Sequence, residues 1–252
     1  MKNWVPLNCK THFSLLKGFC KCDKLAARCK EYGYDVCGIA DIKTISGAVD
    51  FHQNCKKAGV KPIIGCDFVE FVLYVKNKNG WFDLIKYVSS QNIETLKIIA
   101  KRKNVICVSN GGNGLKKIFE ENYIDYDISS NEIFYVDKED AECHRVILCS
   151  GMKTNLKKVH KKINNQEEVE NSRFFNEDRW YLPTSEESTG KDIDVVNKIA
   201  NMCEDYELNE KPMLPKYKCP PGYSEDEYLK DLCRDGWRKK LMGNGKIDDE
   251  EK

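Results

Sequence analysis

The chain has 252 residues, with 41 Lys plus Arg against 40 Asp plus Glu, 13 Cys and only 4 His. A mean hydropathy of −0.60 with no long uncharged apolar run excludes a membrane span, and Met1 to Pro6 hold no apolar stretch of a secretory signal. A net charge of +1 excludes nucleic-acid binding through bulk charge and leaves only local patches, while 41% apolar and 10% aromatic residues exclude a disordered chain.

Trp4 to Lys10 reads as a strand. Leu25, Ala26, Cys29 and Tyr32 recur at helical spacing, with Gly33 in the position that ends a helix. Asp35 to Asp41 is a strand, and Ala48, Val49, His52 and Cys55 form a second helical face closed by Gly59. Lys61 to Asp67 and Glu70 to Val75 are further strands; Trp81 to Val88 and Ile93 to Arg102 are helices. Val105 to Ser109 returns to strand, and the turn Asn110 to Gly114 precedes a helix at Leu115 to Glu121. Ile133 to Val136 is a short strand followed by a helix from Glu139 to Cys149. Repeated β-then-α units imply a largely parallel sheet or barrel, because parallel neighbours need a crossover connection.

The character changes after Cys203. Pro212, Pro215, Pro220 and Pro221 predict an extended connector, and Ser224 with three acids behind it predicts a helix whose face is Tyr228, Leu229, Leu232 and Trp237. Gly243 to Lys252 is polar with no closing element, so the chain is expected to continue. The cysteines run from Cys9 to Cys233 without a C-x-x-C, and Cys20-Lys21-Cys22 is too tight for a zinc knuckle. They read as buried reduced thiols, which suits the cytoplasm.

Thr11-His-Phe-Ser-Leu-Leu-Lys-Gly18, Gly38-Ile-Ala-Asp41, Ser46 to Phe51 and Lys56 to Asp67 follow one another in an order that resembles the PHP (polymerase and histidinol phosphatase) domain. The version resembled is that of bacterial DNA polymerase III alpha subunits, the C-family replicative polymerases. Asn77 to Ser89, Asp137 to Gly151 and Ile199 to Leu232 fit the same order. The resemblance implies a distorted seven-stranded β/α barrel over residues 1–211, a connector at 212–223 and the start of a polymerase region at 224–252.

In active members of this family, histidines and carboxylates at the strand ends hold metal ions for phosphoester hydrolysis. Matching residue by residue, the opening His-x-His falls on Asn8-Cys9-Lys10 and the loop aspartate on Lys17. The Asp-His pair falls on Asp41-Ile42, the next acid and histidine on Asp67 and Glu70, and the late Asp-x-His on Glu132-Ile133-Phe134. Every histidine of the family's site is replaced. An ammonium offers no lone pair and repels a cation, so the resemblance implies a site without metal and without catalysis. The expectation is that Lys10, with Lys17 as a second candidate, is the salt-bridge centre for Asp41, Asp67, Glu70 and Glu132. His12 follows the motif rather than filling it, and His52, His144 and His160 lie on helices; all four read as packing or surface residues.

Lys153 to Lys162 holds five lysines, and Lys157, Lys158, Lys161 and Lys162 are the candidate nucleic-acid contacts. The implied role is structural. Its partners would be the polymerase palm and thumb of the same polypeptide, with a proofreading exonuclease, a sliding clamp and DNA reached mainly through the parent protein. No cofactor is implied for these residues; magnesium belongs to the parent polymerase. The alternatives are an active metal-dependent phosphoesterase or 3′–5′ exonuclease, and a free-standing adaptor. With 34 Lys against 7 Arg and 20 Asn, the source reads as an AT-rich bacterium or phage.

Overall fold

The computed structural model describes residues 4–188, 192–208 and 215–242. The chain divides into two units, Met1–Asn209 and Glu210–Lys252. The first unit is built on one seven-stranded sheet in the order β6-β5-β4-β3-β2-β1-β7. Its strands are β1 (Asn8–Cys9), β2 (Val36–Ile42), β3 (Lys61–Asp67), β4 (Val72–Val75), β5 (Val105–Ser109), β6 (Tyr123–Asp125) and β7 (Glu132–Ile133). Helix α1 (Cys22–Glu31) joins β1 to β2 and α2 (Ala48–Ala58) joins β2 to β3, the crossovers that parallel neighbours demand. Between β4 and β5 lie α3 (Lys78–Ser90) and α4 (Ile93–Arg102), and α5 (Asn113–Phe119) follows β5.

Sequence and structure part at definite points. Of Trp4 to Lys10 only Asn8–Cys9 is strand, although Trp4, Val5 and Leu7 are buried. Pro6 has no amide to donate, so its carbonyl alone carries the pairing onward, to Gly38 N at 2.7 Å. Strand β4 starts at Val72, because residues 68–71 close a tight turn with Phe68 N donating to Phe71 O at 2.9 Å. That turn makes β4 antiparallel to both β3 and β5, against the uniform β/α alternation expected. Strand β6 was not expected at all; three residues are too few to show a period. The expected barrel wall is present as a sheet of seven strands, but among the described residues no ladder joins its edges β6 and β7.

After β7, the chain forms α6 (Ala141–Gly151), α7 (Leu156–Asn164), α8 (Arg173–Asn176) and α9 (Ile193–Met202). Two apolar clusters result. One fills the space between the sheet and helices α1 to α4, with Leu25, Phe51, Ile64 and Leu73 essentially inaccessible; each such side chain contributes roughly 1.5–3 kcal/mol. The other gathers Phe134, Tyr135, Leu148, Val159, Phe174, Phe175 and Trp180 beneath α6 and α7. All thirteen cysteines are free thiols.

The second unit holds α10 (Glu225–Trp237), whose Ser224 and Glu227 form a reciprocal capping box as its sequence predicts. Tyr228 stacks on Tyr217 at 5.8 Å, while Leu229, Leu232 and Trp237 are exposed. Residues 215–223 contain no helix or strand; Pro212 and the polar end Gly243 to Lys252 lie outside the described residues. Among the described residues no helix is long and apolar enough to cross a membrane.

Candidate functional site

In a parallel β/α sheet, ligand chemistry gathers beyond the carboxyl ends of the strands. Here those ends carry Lys10 after β1, Asp41 and Ile42 on β2 and Asp67 on β3, and Glu132, the first residue of β7, adjoins them. Register brings them together: Ile42 is the partner of Asp67, and Asn8 the partner of Glu132. Positions 8 and 10 share a face because side chains alternate along a strand.

The centre is Lys10, fully buried. Its Nζ donates to Asn8 Oδ1 at 2.8 Å, to Ala40 O at 2.7 Å and to Asp67 Oδ2 at 2.5 Å. An ammonium has three protons, and all three are committed. Asp67 is held equally firmly, its Oδ1 accepting from Val69 N at 2.7 Å. Asn8 completes the frame by donating from Nδ2 to Ile128 O at 3.2 Å.

Asp41 belongs to a different network. Its Oδ1 accepts from Thr11 N at 2.7 Å and Ser14 Oγ at 2.6 Å, and its Oδ2 from Thr11 Oγ1 at 2.6 Å. Burial pushes the Asp41 carboxyl up, and the hydrogen bonds from Ser14 and Thr11 pull against it. The carboxylate thereby fastens the Thr11 to Gly18 loop onto β2. Glu132 is also raised by burial, opposed by the charges of Lys10 and Arg173. Arg173 Nη2 donates to Glu132 Oε2 at 3.0 Å, and its guanidinium lies 4.6 Å from the Phe174 ring and 4.7 Å from that of Trp180.

These contacts correct the expected salt-bridge set. Of the four acids Lys10 bonds directly only to Asp67; Asp41 is satisfied by Thr11 and Ser14, Glu132 by Arg173, and Glu70 is exposed. Lys17 is exposed and offers its carbonyl, not its ammonium, to His144 Nε2 at 2.7 Å. Phe134 is core, ringed by His144, Phe174 and Trp180, and Ile42 is half-buried with its amide on Ser14 Oγ. A cleft of about 270 Å³ remains at this end, lined by Lys17, Asp67, Val69, Glu132 and Arg173 among others.

Sequence reasoning missed Arg173, which lies in a stretch that matched no motif. Thr11 and Ser14 belong to the loop motif, but nothing in their spacing points to Asp41. The four histidines occupy packing or surface positions. His52 and His144 are buried, with their Nε2 atoms on the Tyr206 and Lys17 carbonyls, while His12 and His160 are exposed. Among the described residues no three His, Cys, Asp or Glu side chains come together as a ligand set. Lys157, Lys158, Lys161 and Lys162 lie exposed on α7.

A model of the PHP domain matches residues 6–182 of the chain. DNA polymerase III subunit alpha of Aquifex aeolicus is 24% identical over 332 residues, covering 95% of this chain and 28% of that protein. Its counterpart in Ureaplasma parvum is 24% identical over 258 residues, covering 96% of the chain and 25% of the relative. That of Chlamydia muridarum is 36% identical over 98 residues, 39% of the chain and 7% of the relative. The chain thus spans about a quarter of the length of the first two relatives.

Proposed function

The chain belongs to the PHP domain family, and we propose that it serves as the metal-free, catalytically silent PHP domain of a replicative DNA polymerase of the polymerase III alpha type. The observation that carries this reading is the buried Lys10 ammonium, with its three protons on Asn8, Ala40 and Asp67. A multi-metal centre requires lone pairs at the strand ends. Here the opening positions present an amide whose oxygen is taken and a cation that repels other cations, and Asp67 has both oxygens engaged. The residues present do not fit a metal ion.

The ion pair neutralises the Asp67 carboxylate and ties the end of β1 to β3, a structural use of positions that bind metal in the family's active members. Burying such a pair is seldom a net gain over apolar packing, but removing one partner is costly, which ties the strand ends together. The names of the relatives support a place in DNA replication within a longer polypeptide; the buried reduced thiols suit the cytoplasm as its compartment. Palm and thumb regions of that polypeptide would be the first partners. A proofreading exonuclease, a sliding clamp and DNA would be reached through the parent protein, along with its magnesium.

Metal analysis and hydrolysis test the reading together. Purified protein should hold far less than one equivalent of manganese or zinc after dialysis against either ion. With added manganese it should cleave neither p-nitrophenyl phosphate nor single-stranded DNA. Stoichiometric metal with cleavage that disappears in Asp67→Asn overturns the silent site in favour of a phosphoesterase or exonuclease. Coding sequence beyond Lys252 that lacks a polymerase palm overturns the assignment to a polymerase.

A further inference from the structure

Helix α7 carries Lys157, Lys158, Lys161 and Lys162, all exposed, and Lys153 is exposed just before it. The helix is fixed in orientation, since Val159 is buried and Leu156 and Ile163 pack on the second apolar cluster. Its start is fixed as well, with Asn155 Oδ1 accepting from Lys158 N at 3.0 Å. The lysine face therefore points outward by construction.

Some other lysines of this unit have acidic partners. Lys24 pairs with Asp137 and Asp140, Lys56 with Asp205 and Glu207, and Lys138 with Glu187. Exposed lysines such as Lys57, Lys101, Lys116 and Lys117 stand without an ion pair among the described residues but are not gathered on one helix face with three others. None of the four α7 lysines has an ion pair among the described residues, and the nearby acids Glu167, Glu168 and Glu170 come only after the helix has ended. Because the whole chain is only +1, this concentration leaves the rest net negative. The positive charge is focused rather than spread.

We propose that the outer face of α7 binds the phosphate backbone of a nucleic acid without reading its sequence. Residues four apart on a helix lie about 6 Å apart along its axis, so Lys157 and Lys161, or Lys158 and Lys162, meet different phosphates of one strand. The cleft beside the helix start is mainly apolar, lined by Val146, Cys149 and Leu156, so the lysine face itself carries the proposal. Protein interfaces favour arginine and aromatic residues and are poor in lysine. The α7 face has neither arginine nor Phe, Tyr or Trp, which favours a phosphate polymer over an acidic protein.

The test is fluorescence anisotropy of the 252-residue chain with a labelled single strand and a labelled duplex, each of about 30 nucleotides, at about 50 mM salt. Four neutralised phosphates predict a slope of log affinity against log salt near −3 for a single strand. Replacing all four lysines by glutamine should weaken binding at least tenfold and flatten that slope. Replacing them by arginine should preserve it. Glutamine at Lys57, Lys101, Lys116 and Lys117, which makes the same change in net charge, should leave affinity within about twofold. Circular dichroism should show all three variants folded, since the changes are exposed and glutamine and arginine are good helix formers. Equal losses in both glutamine variants, or no binding by the unaltered chain, overturn the proposal. Tighter binding of a polyglutamate peptide than of DNA, lost with the α7 glutamines, reassigns the face to an acidic protein. None of these outcomes depends on whether the strand-end site holds metal.

Discussion

Lys10 reaches over strand β2 to Asp67 on β3, its Nζ 2.5 Å from Asp67 Oδ2, and leaves one proton on the Ala40 carbonyl of the strand it crosses. One side chain therefore links three strand ends. Lys10→Met should strand the Asp67 carboxylate in a largely buried site and cost about 3–5 kcal/mol in urea unfolding. Asp67→Leu should cost a similar amount, leaving the ammonium without its counter-charge. The double variant should cost clearly less than the two singles added, with about 1 kcal/mol outstanding for the lost bond to Val69 N. A Lys10→Met cost below about 1 kcal/mol would show that Lys10 does not hold the strand ends.

His144 supplies the pH dependence. It is buried, its Nε2 on the Lys17 carbonyl, and burial pushes its imidazole from 6.5 down to about 4. Between those values the unfolded chain takes up a proton that the folded chain refuses, so stability falls as pH drops from about 6.5 to about 4. The loss is at most about 3 kcal/mol. Asp41 and Glu132, raised by burial, take up protons more readily when folded and so moderate the fall. His144→Gln keeps a donor for Lys17 O and should flatten the decline measured by urea unfolding at about pH 7, 5.5 and 4.5. An unchanged slope would assign the effect to other groups.

The thiols separate by accessibility. Cys143 and Cys233 are exposed, Cys219 is half-buried and the remaining cysteines are buried. Burial pushes Cys66 and Cys203 up to about 12, and raises Cys20, Cys37 and Cys107 as well. The thiolate is the reacting form, so a thiol both inaccessible and hard to ionise is inert. Ellman's reagent at about pH 8 should titrate two or three thiols within minutes in the native protein, and all thirteen after unfolding. Rapid native reaction of many more would mean that the core opens locally.

Much of this was legible in the sequence. Lys61–Asp67, Ile93–Arg102 and Val105–Ser109 have the bounds that their apolar patterns predict. Asn8 and Lys10 share a face because alternation is local geometry. Lys10 was identifiable as the odd charge among carboxylates, but its choice of Asp67 over Asp41 depends on the Thr11 to Gly18 loop folding back to satisfy Asp41. Arg173 was out of reach for the same reason: its place beside Glu132 is set by packing on Phe174 and Trp180, a long-range fact with no sequence period. The β4 reversal turns on Val69 in a left-handed backbone at φ 77, where a β-branched residue is not anticipated.

That returning loop is itself testable at Gly18. A Cβ built there would stand 2.2 Å from Thr11 O and 2.7 Å from Lys10 O, both backbone atoms that cannot swing aside. The loop is tied at this point, with Gly18 N donating to Ser14 O at 2.8 Å and Cys20 N to Lys10 O at 3.3 Å. Gly18→Ala must push the loop off β1 or strain it, and should cost about 3 kcal/mol, the upper end for an overpacked core position. Gly59 is the contrast, since it caps α2 in a left-handed conformation, φ 70, with nothing within 4 Å of its Cβ direction. Gly59→Ala should cost only about 1–2 kcal/mol, through backbone conformation alone. Because Gly18 lies beside the groups that hold Asp41, its variant should also quicken amide exchange at Thr11 and Ser14, and Gly59→Ala should not. Equal costs for the two substitutions, or unchanged exchange at Thr11, would mean that the close approach at Gly18 does not anchor the site loop.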